Sequence, residues 1–175
     1  AEAGADVRGS QTVAVEGGED YCITGSKGVT TNSGFGDSCV VFARTDRSVR
    51  GAKGMTAFVV DLKEMPGIDV SENIQRMGIR AASNCIVTYD KVRVPKERIL
   101  GKVGGGFKIA MKTLDGGRIG IAAQSVGIAQ GALNEAIKYC KERKQFGKTI
   151  ASFQNTQFKL AALQTKVDAA RLLTW

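Results

Sequence analysis

The sequence predicts an α+β fold, with strands first and helices second. Two observations carry this expectation. Residues 1–100 contain short runs rich in Val, Ile, Thr, Phe and Tyr, broken by Gly, Asp and Asn. After Gly101 the apolar residues recur with the 3.6-residue period of a helix instead. The 175 residues therefore divide into a β part, 1–100, and a helical part, 101–175.

The β part reads as an antiparallel sheet, closed or sandwiched. Thr12–Val15 is a first strand, and Gly17-Gly18-Glu19-Asp20 a turn cluster that returns the chain. Tyr21–Gly25, Ser38–Thr45, Met55–Leu62 and Cys85–Val94 supply further strands. Pro66 and Pro95 follow strand candidates, where a missing N–H is tolerated. Gly104-Gly105-Gly106 then precedes a helix from Phe107 to about Lys144. Its apolar positions include Ile109, Ala110, Leu114, Ile121, Ala122, Val126, Ala129 and Leu133. Gly116, Gly117, Gly120, Gly127 and Gly131 lie inside it, each costing ~1 kcal/mol against Ala. Close approach by another helix or a ligand is the expected compensation. Phe146-Gly147 breaks this helix, and a second runs from about Ser152 with Leu160, Leu163, Val167 and Ala170 on one face.

Composition narrows the chemistry. Without a single His, the chain holds no His-based triad, His general base or His-ligated zinc. Cys22, Cys39, Cys85 and Cys140 form neither a CxxC pair nor a disulfide framework, and read as reduced, mostly buried thiols of an intracellular protein. No apolar run is long enough for a membrane span. Ala1 is not an initiator Met and Trp175 falls within a helical pattern, so a piece of a longer polypeptide is expected. The net charge of +8 calls for an anionic partner, nucleic acid or a phosphate-bearing cofactor.

Four segments are candidates for that role, each with a plain structural alternative. Gly104–Gly106 opens a helix and suits either an anion or a hinge. Lys138–Lys144 is either a solvated helix end or a phosphate-capture segment, with Arg143 as the bidentate donor. Asp115 and Arg118 share a helix face, as a surface ion pair or beside a ligand admitted by the neighbouring glycines. Lys27–Asn32 follows a strand, and its Thr and Asn are either turn formers or contacts to a planar ligand. No carboxylate dyad, nucleophile–base pair or metal cluster emerges.

Together these motifs resemble the acyl-CoA dehydrogenase family over essentially the whole chain. Ala3-Gly4-Ala5-Asp6-Val7 is similar to the tail of the family's TEPGAGSDV signature, and Tyr21–Asn32 to its YxLNGxKxWITN segment. Met77-Gly78-Ile79-Arg80 before Val92-Arg93-Val94-Pro95 resembles MGxR…VxVP. Leu114-Asp115 to Arg118-Ile119 resembles LDxxR, and Arg143–Gly147 with Gln154 resembles RxQFGxxIxxxQ. The segment from Leu114 to Leu133 is closest in pattern to short-chain, butyryl-type members. The resemblance implies a middle β-barrel domain over 1–100. It implies the first two, antiparallel helices of a C-terminal four-helix domain over 101–175.

The resemblance also implies roles. FAD-binding positions are Gly4, Ala5, Val29, Thr30, Thr31, Arg143, Phe146 and Gln154. Thr31 matches the Thr that hydrogen-bonds the flavin ring, and Arg143 the Arg that crosses to the pyrophosphate of a neighbouring subunit's cofactor. Val29 stands where the family usually carries Trp, and Ala5 where it carries Ser. Acyl-CoA positions are Ala5, Phe107, Asp115, Gly116, Gly117 and Arg118. The implied reaction is α,β-dehydrogenation of a short-chain acyl-CoA to the trans-2-enoyl-CoA, with electrons passed to an electron-transfer flavoprotein. The rivals are an acyl-CoA oxidase, an enoyl-CoA reductase and a non-catalytic scaffold of the same fold. A minority of members place the catalytic base immediately before the LDxxR Arg, which here is Gly117. No catalytic residue is therefore expected in this chain, and the base belongs beyond Trp175. A homotetramer built as a dimer of dimers is implied, in the bacterial cytoplasm or the mitochondrial matrix. Neither nucleic acid nor a metal is expected as a partner.

Overall fold

The computed structural model describes residues 3, 4, 6–49 and 51–175, with the backbone alone at Arg8. Among them lie nine strands and two α-helices: β1 (Val13–Gly17), β2 (Asp20–Thr31), β3 (Ser38–Arg44), β4 (Met55–Asp61), β5 (Ile68–Val70), β6 (Asn84–Pro95), β7 (Ile99–Leu100), α1 (Gly106–Glu142), β8 (Lys144–Gln145), β9 (Lys148–Thr149) and α2 (Gln154–Thr174). Strands precede helices, as the change of period requires. The chain forms two compact units, Ala1–Met111 and Lys112–Trp175.

The first unit is built on a seven-stranded sheet in the order β5-β6-β2-β1-β3-β4-β7. Every pairing is antiparallel except β1 with β3, which meet in parallel at Val13 and Arg44. The sheet is therefore mixed rather than purely antiparallel. The short run after β1 is consumed by its hairpin with β2, so β3 must return to β1 from the other side. That hairpin closes on Gly18-Glu19, with Gly18 at φ 67° where a side chain would be strained.

Alternation fixes which face is buried. On β2, Tyr21 and Ile23 point inward and Thr24 outward; on β4, the run Met55–Phe58 is buried throughout. On β6, Cys85, Val87 and Tyr89 alternate inward, yet Val92 and Val94 are also buried. The register shift between Ile23 and Gly25 accounts for this change of phase. Lys91 lies there at φ 51°, where the extra residue of a bulge bends the strand. Phe58, Val60, Val87, Tyr89, Val92 and Ile23 anchor one core, with Tyr21 and Phe58 tilted at a ring separation of 5.2 Å.

The three glycines at the start of α1 serve packing. Gly104 takes φ 74°, and its N–H donates to Thr56 Oγ1 at 2.9 Å. Gly105 N–H donates to Lys102 O at 2.9 Å. A Cβ on Gly106 would lie 2.7 Å from the Thr56 carbonyl carbon. The first residue of α1 thus sits directly on the β4 backbone, and the anion-binding alternative for Gly104 and Gly105 loses its donors.

The second unit holds α2 antiparallel to α1 across the β8–β9 hairpin, with a small core of Val126, Leu133 and Val167 flanked by Ile137 and Leu160. Arg171 Nη2 donates to Gln130 Oε1 at 3.1 Å across this pair. Phe146 and Gly147 do more than end α1. At φ 52° and 76° they form the two-residue tip of the hairpin. The helix glycines receive no approach from the described residues: a Cβ on Gly116, Gly117, Gly120, Gly127 or Gly131 would meet nothing within 4 Å. No described helix is long and apolar enough to cross a membrane.

The cysteines depart from expectation. All are free, but only Cys85 is fully buried; Cys22, Cys39 and Cys140 are half-buried. Cys22 occupies the face of β2 opposite the buried Tyr21 and Ile23. Alternation, not residue type, sets its environment.

Candidate functional site

In the first unit the candidate site is the C-terminal end of β2. Residues 27–31, expected in a loop after the strand, instead remain in β2 and pair with β6. The register shifts between Lys27 and Thr30, so Gly28 and Val29 fall outside the Cα pairing. Val29 is 57% exposed as a result. Thr30 Oγ1 donates to Lys27 O at 3.4 Å, and Ser33 Oγ to Thr30 O at 2.8 Å. Asn32 is the turn former of this segment: at φ 65° its carbonyl accepts from Phe35 and Gly36 N–H.

Thr31 stands directly opposite Asn84 in the ladder. With its amide oriented by its neighbours, Asn84 donates to Thr31 Oγ1 and Ser83 O, both at 2.9 Å, and accepts from Arg76 Nη1 at 2.8 Å. Beside this cluster Asn73, Ile74, Gln75, Arg76 and Arg80 line a polar pocket of about 320 Å³. Neither Asn84 nor Arg76 stands out in the sequence. Their signal is the pairing register, which joins residues far apart in the chain.

Lys27 lies just before these residues. Its Nζ donates to Ser10 Oγ at 2.9 Å, and burial pulls its pKa down to about 8. Among the described residues no carboxylate forms an ion pair with it. Gly4 is exposed ahead of the 3-10 turn Val7–Gly9, and Ala5 lies outside the described residues. Phe107 is half-buried in the first turn of α1.

The second unit presents two further clusters. Arg118 Nη1 donates to Asp115 Oδ1 at 3.0 Å, and both side chains are largely exposed. Gly116 and Gly117 leave the space beside this pair open. Arg143 closes α1 with its N–H on Tyr139 O at 2.8 Å, and its carbonyl accepts from Ile150 N–H at 2.8 Å. Phe146, 90% exposed at the hairpin tip, meets Phe153 edge-on at 6.2 Å. Lys148 Nζ lies 4.6 Å from the Phe153 ring, and Gln154 opens α2 immediately afterwards. Arg143, Phe146 and Gln154 therefore share one end of the helix pair. Asp115 and Arg118 lie elsewhere, roughly 35 Å back along α1 at 1.5 Å per residue.

Among the described residues no group of His, Cys, Asp and Glu could hold a metal ion.

Comparison with known proteins places the chain in a family. Residues 1–92 match the model of the acyl-CoA dehydrogenase middle domain, and 104–175 that of the acyl-CoA dehydrogenase C-terminal domain. The chain is 48% identical over 173 residues to a subunit of the caffeyl-CoA reductase–Etf complex of Acetobacterium woodii, covering 99% of this chain and 45% of the relative. It is 46% identical to the mitochondrial short-chain specific acyl-CoA dehydrogenase of Mus musculus, covering 98% of this chain and 41% of the relative. A solved structure described under the electron transferring flavoprotein of Acidaminococcus fermentans superposes with a TM-score of 0.94 at 48% identity, covering 99% of this chain and 45% of that one. The chain thus spans less than half the length of the relatives it matches. With both domain models matched in order along it, the chain belongs to the acyl-CoA dehydrogenase family.

Proposed function

We propose that the chain is the middle and early C-terminal part of an FAD-dependent acyl-CoA dehydrogenase subunit acting on short-chain acyl-CoA, with electrons leaving to an electron-transfer flavoprotein. Family membership along the whole chain carries this reading, and it implies a flavin cofactor. The residues fit one. Thr31 offers a hydroxyl at an open strand end, and Gly28 and Val29 leave the ladder beside it. Val29 offers a smaller apolar face than Trp and cannot stack, so it shields less of a ring system.

A bound flavin supplies the hydride acceptor; the residues of this chain bind and orient. Gly4, Ala5, Val29, Thr30 and Thr31 form the flavin seat. Ala5, Phe107, Asp115, Gly116, Gly117 and Arg118 hold the acyl-CoA. Asp115 fixes the Arg118 guanidinium, and the bare glycines admit the nucleotide arm beside it. Arg143, Phe146 and Gln154 lie roughly 35 Å from Asp115 and Arg118 along α1. Their likeness to the family's motif supports their serving the FAD of a second copy, in a tetramer made of paired dimers. The middle β-barrel domain spans about 1–100 and the helical domain begins at about 101. The bacterial cytoplasm or the mitochondrial matrix suits this chemistry.

No residue of the chain acts as the base, because Gly117 has no side chain to take a proton. The base is a carboxylate elsewhere in the subunit, and the 175-residue chain is inactive alone. Dye-linked oxidation of butyryl-CoA tests this: turnover by the complete subunit and none by the chain is expected, and turnover by the chain alone overturns it.

A second reading, reduction of an enoyl-CoA by the same seat, is favoured by the likeness to the caffeyl-CoA reductase subunit. Anaerobic stopped-flow mixing of the oxidised subunit with butyryl-CoA, and of the reduced subunit with crotonyl-CoA, gives the faster direction.

A further inference from the structure

The flavin seat contains a hydroxyl whose donor direction is set by residues outside it. Asn84 donates to Thr31 Oγ1 at 2.9 Å. A hydroxyl has one proton and two lone pairs, so accepting this bond commits a lone pair and turns the proton elsewhere. Among the described residues the Thr31 hydroxyl proton meets no acceptor of the chain. It is left to donate outward, from an exposed position at the end of β2.

The other partners of the amide set this orientation. Its oxygen accepts from Arg76 Nη1 at 2.8 Å, and its nitrogen also reaches Ser83 O at 2.9 Å. The Asn84 backbone is pinned as well: its N–H donates to Asn73 Oδ1 at 2.8 Å, and its carbonyl accepts from Ile74 N–H at 2.9 Å. Arg76 is itself held, with Nη2 donating to Ile79 O at 2.8 Å and to Ala82 O. Among the described residues Arg76 Nε is buried and meets no hydrogen-bond partner.

We propose that Arg76 and Asn84 are positioning residues of the flavin seat, fixing Thr31 Oγ1 as a hydrogen-bond donor toward an acceptor atom of the flavin ring. This rests on the reading of Thr31 as a flavin contact.

The test uses the complete subunit loaded with FAD, and reads FAD affinity, midpoint potential and visible spectrum. Asn84→Asp keeps the partner of Arg76 but presents only acceptors to Thr31, so the hydroxyl proton turns inward. FAD binding is expected to weaken about tenfold, the equivalent of one hydrogen bond, with a shifted potential. Arg76→Leu frees the amide and gives a partial loss; Arg76→Lys, still a donor, restores the wild-type values. In a Thr31→Val background, Asn84→Asp has no further effect on any of the three readouts, whereas a purely structural role would leave its effect intact. Thermal melts of each variant confirm the fold. A wild-type subunit that takes up no flavin overturns both this inference and the flavin reading beneath it. A flavin-loaded wild type whose spectrum, potential and affinity survive Asn84→Asp overturns this inference alone.

Discussion

Gly116 and Gly117 allow stability and function to be separated by a single methyl group. Both lie in the interior of α1, and a Cβ at either would meet nothing within 4 Å. In the chain by itself, Gly117→Ala should therefore stabilise, since Ala is favoured over Gly by ~1 kcal/mol inside a helix. For a chain of 175 residues that is a rise in Tm of roughly 2–4 °C. The open space is nevertheless where the proposed CoA arm passes Arg118. A methyl group forced into a filled contact costs roughly 1–3 kcal/mol, about a 5- to 150-fold loss of affinity. The opposed signs are the diagnostic. The assay is a thermal melt of the chain beside a butyryl-CoA titration of the flavin spectrum in the complete subunit. Higher Tm with weaker binding supports the seat. Higher Tm with unchanged binding refutes it, because the glycine would then answer to some other neighbour.

Further outcomes follow from the same geometry. Arg118→Ala should weaken acyl-CoA binding roughly 10- to 150-fold through loss of a charge-assisted contact to phosphate, while Asp115→Ala changes stability by less than about 0.5 kcal/mol, as an exposed ion pair does; isothermal titration and urea melts report the two effects. Gly106→Ala should destabilise the chain by roughly 1–3 kcal/mol, because its Cβ would press on the Thr56 backbone at 2.7 Å; an unchanged urea midpoint would show that α1 starts elsewhere in solution. Lys27 carries a pH signature: its folded pKa of about 8 lies below the usual lysine value, so the unfolded chain binds more protons between about pH 8 and 10.5 and stability rises with pH across that window. The burden of charged Lys27, up to about 3 kcal/mol, is fully present below pH 8. Lys27→Met should raise stability at pH 7 and flatten the rise above pH 8, read by urea melts across pH 7–10.5.

The sequence made the order of elements legible because period and turn chemistry are local. Strands over Ser38–Thr45 and Met55–Leu62 and the helix after Gly104 all reappear within a residue or two. What it could not show depends on partners far along the chain. β5 and β7 are too short to announce themselves, and exist because β6 and β4 offer edges to pair with. Residues 27–31 read as a loop because Gly28 and Thr30-Thr31 interrupt the apolar alternation; β6 holds them in the sheet through a bulge. Among candidate site residues, Asp115 and Arg118 were legible from helical spacing alone, since i and i+3 must share a face. Thr31 was legible from the residues as either a turn former or a contact to a planar ligand, with the family resemblance choosing between them, and Asn84 not at all, because its partnership with Thr31 is a fact of register.

The glycines of α1 sharpen what the helical unit requires. At 100° per residue, Gly116, Gly120, Gly127 and Gly131 fall in one stripe, roughly 100° around the helix from the Val126–Leu133 seam that meets α2. Beyond the stripe lie Ile121 and Ile128, 63% and 65% exposed. On α2, Leu172 and Leu173 are 74% and 89% exposed. Two faces of α1 are thus shaped for contact, one smooth enough for close backbone approach and one apolar, while α2 covers a third. Apolar faces of this extent are stabilised by burial and otherwise drive association. The same stripe costs helical stability at every glycine, which a helix meant to stand in water would have no reason to bear. Both observations lead to one prediction: the helical unit needs more helices to cover α1, and on its own the chain is expected to associate into dimers or aggregates. Light scattering checks this, and a monodisperse monomer at micromolar concentration would mean that the exposed faces of α1 carry no such demand.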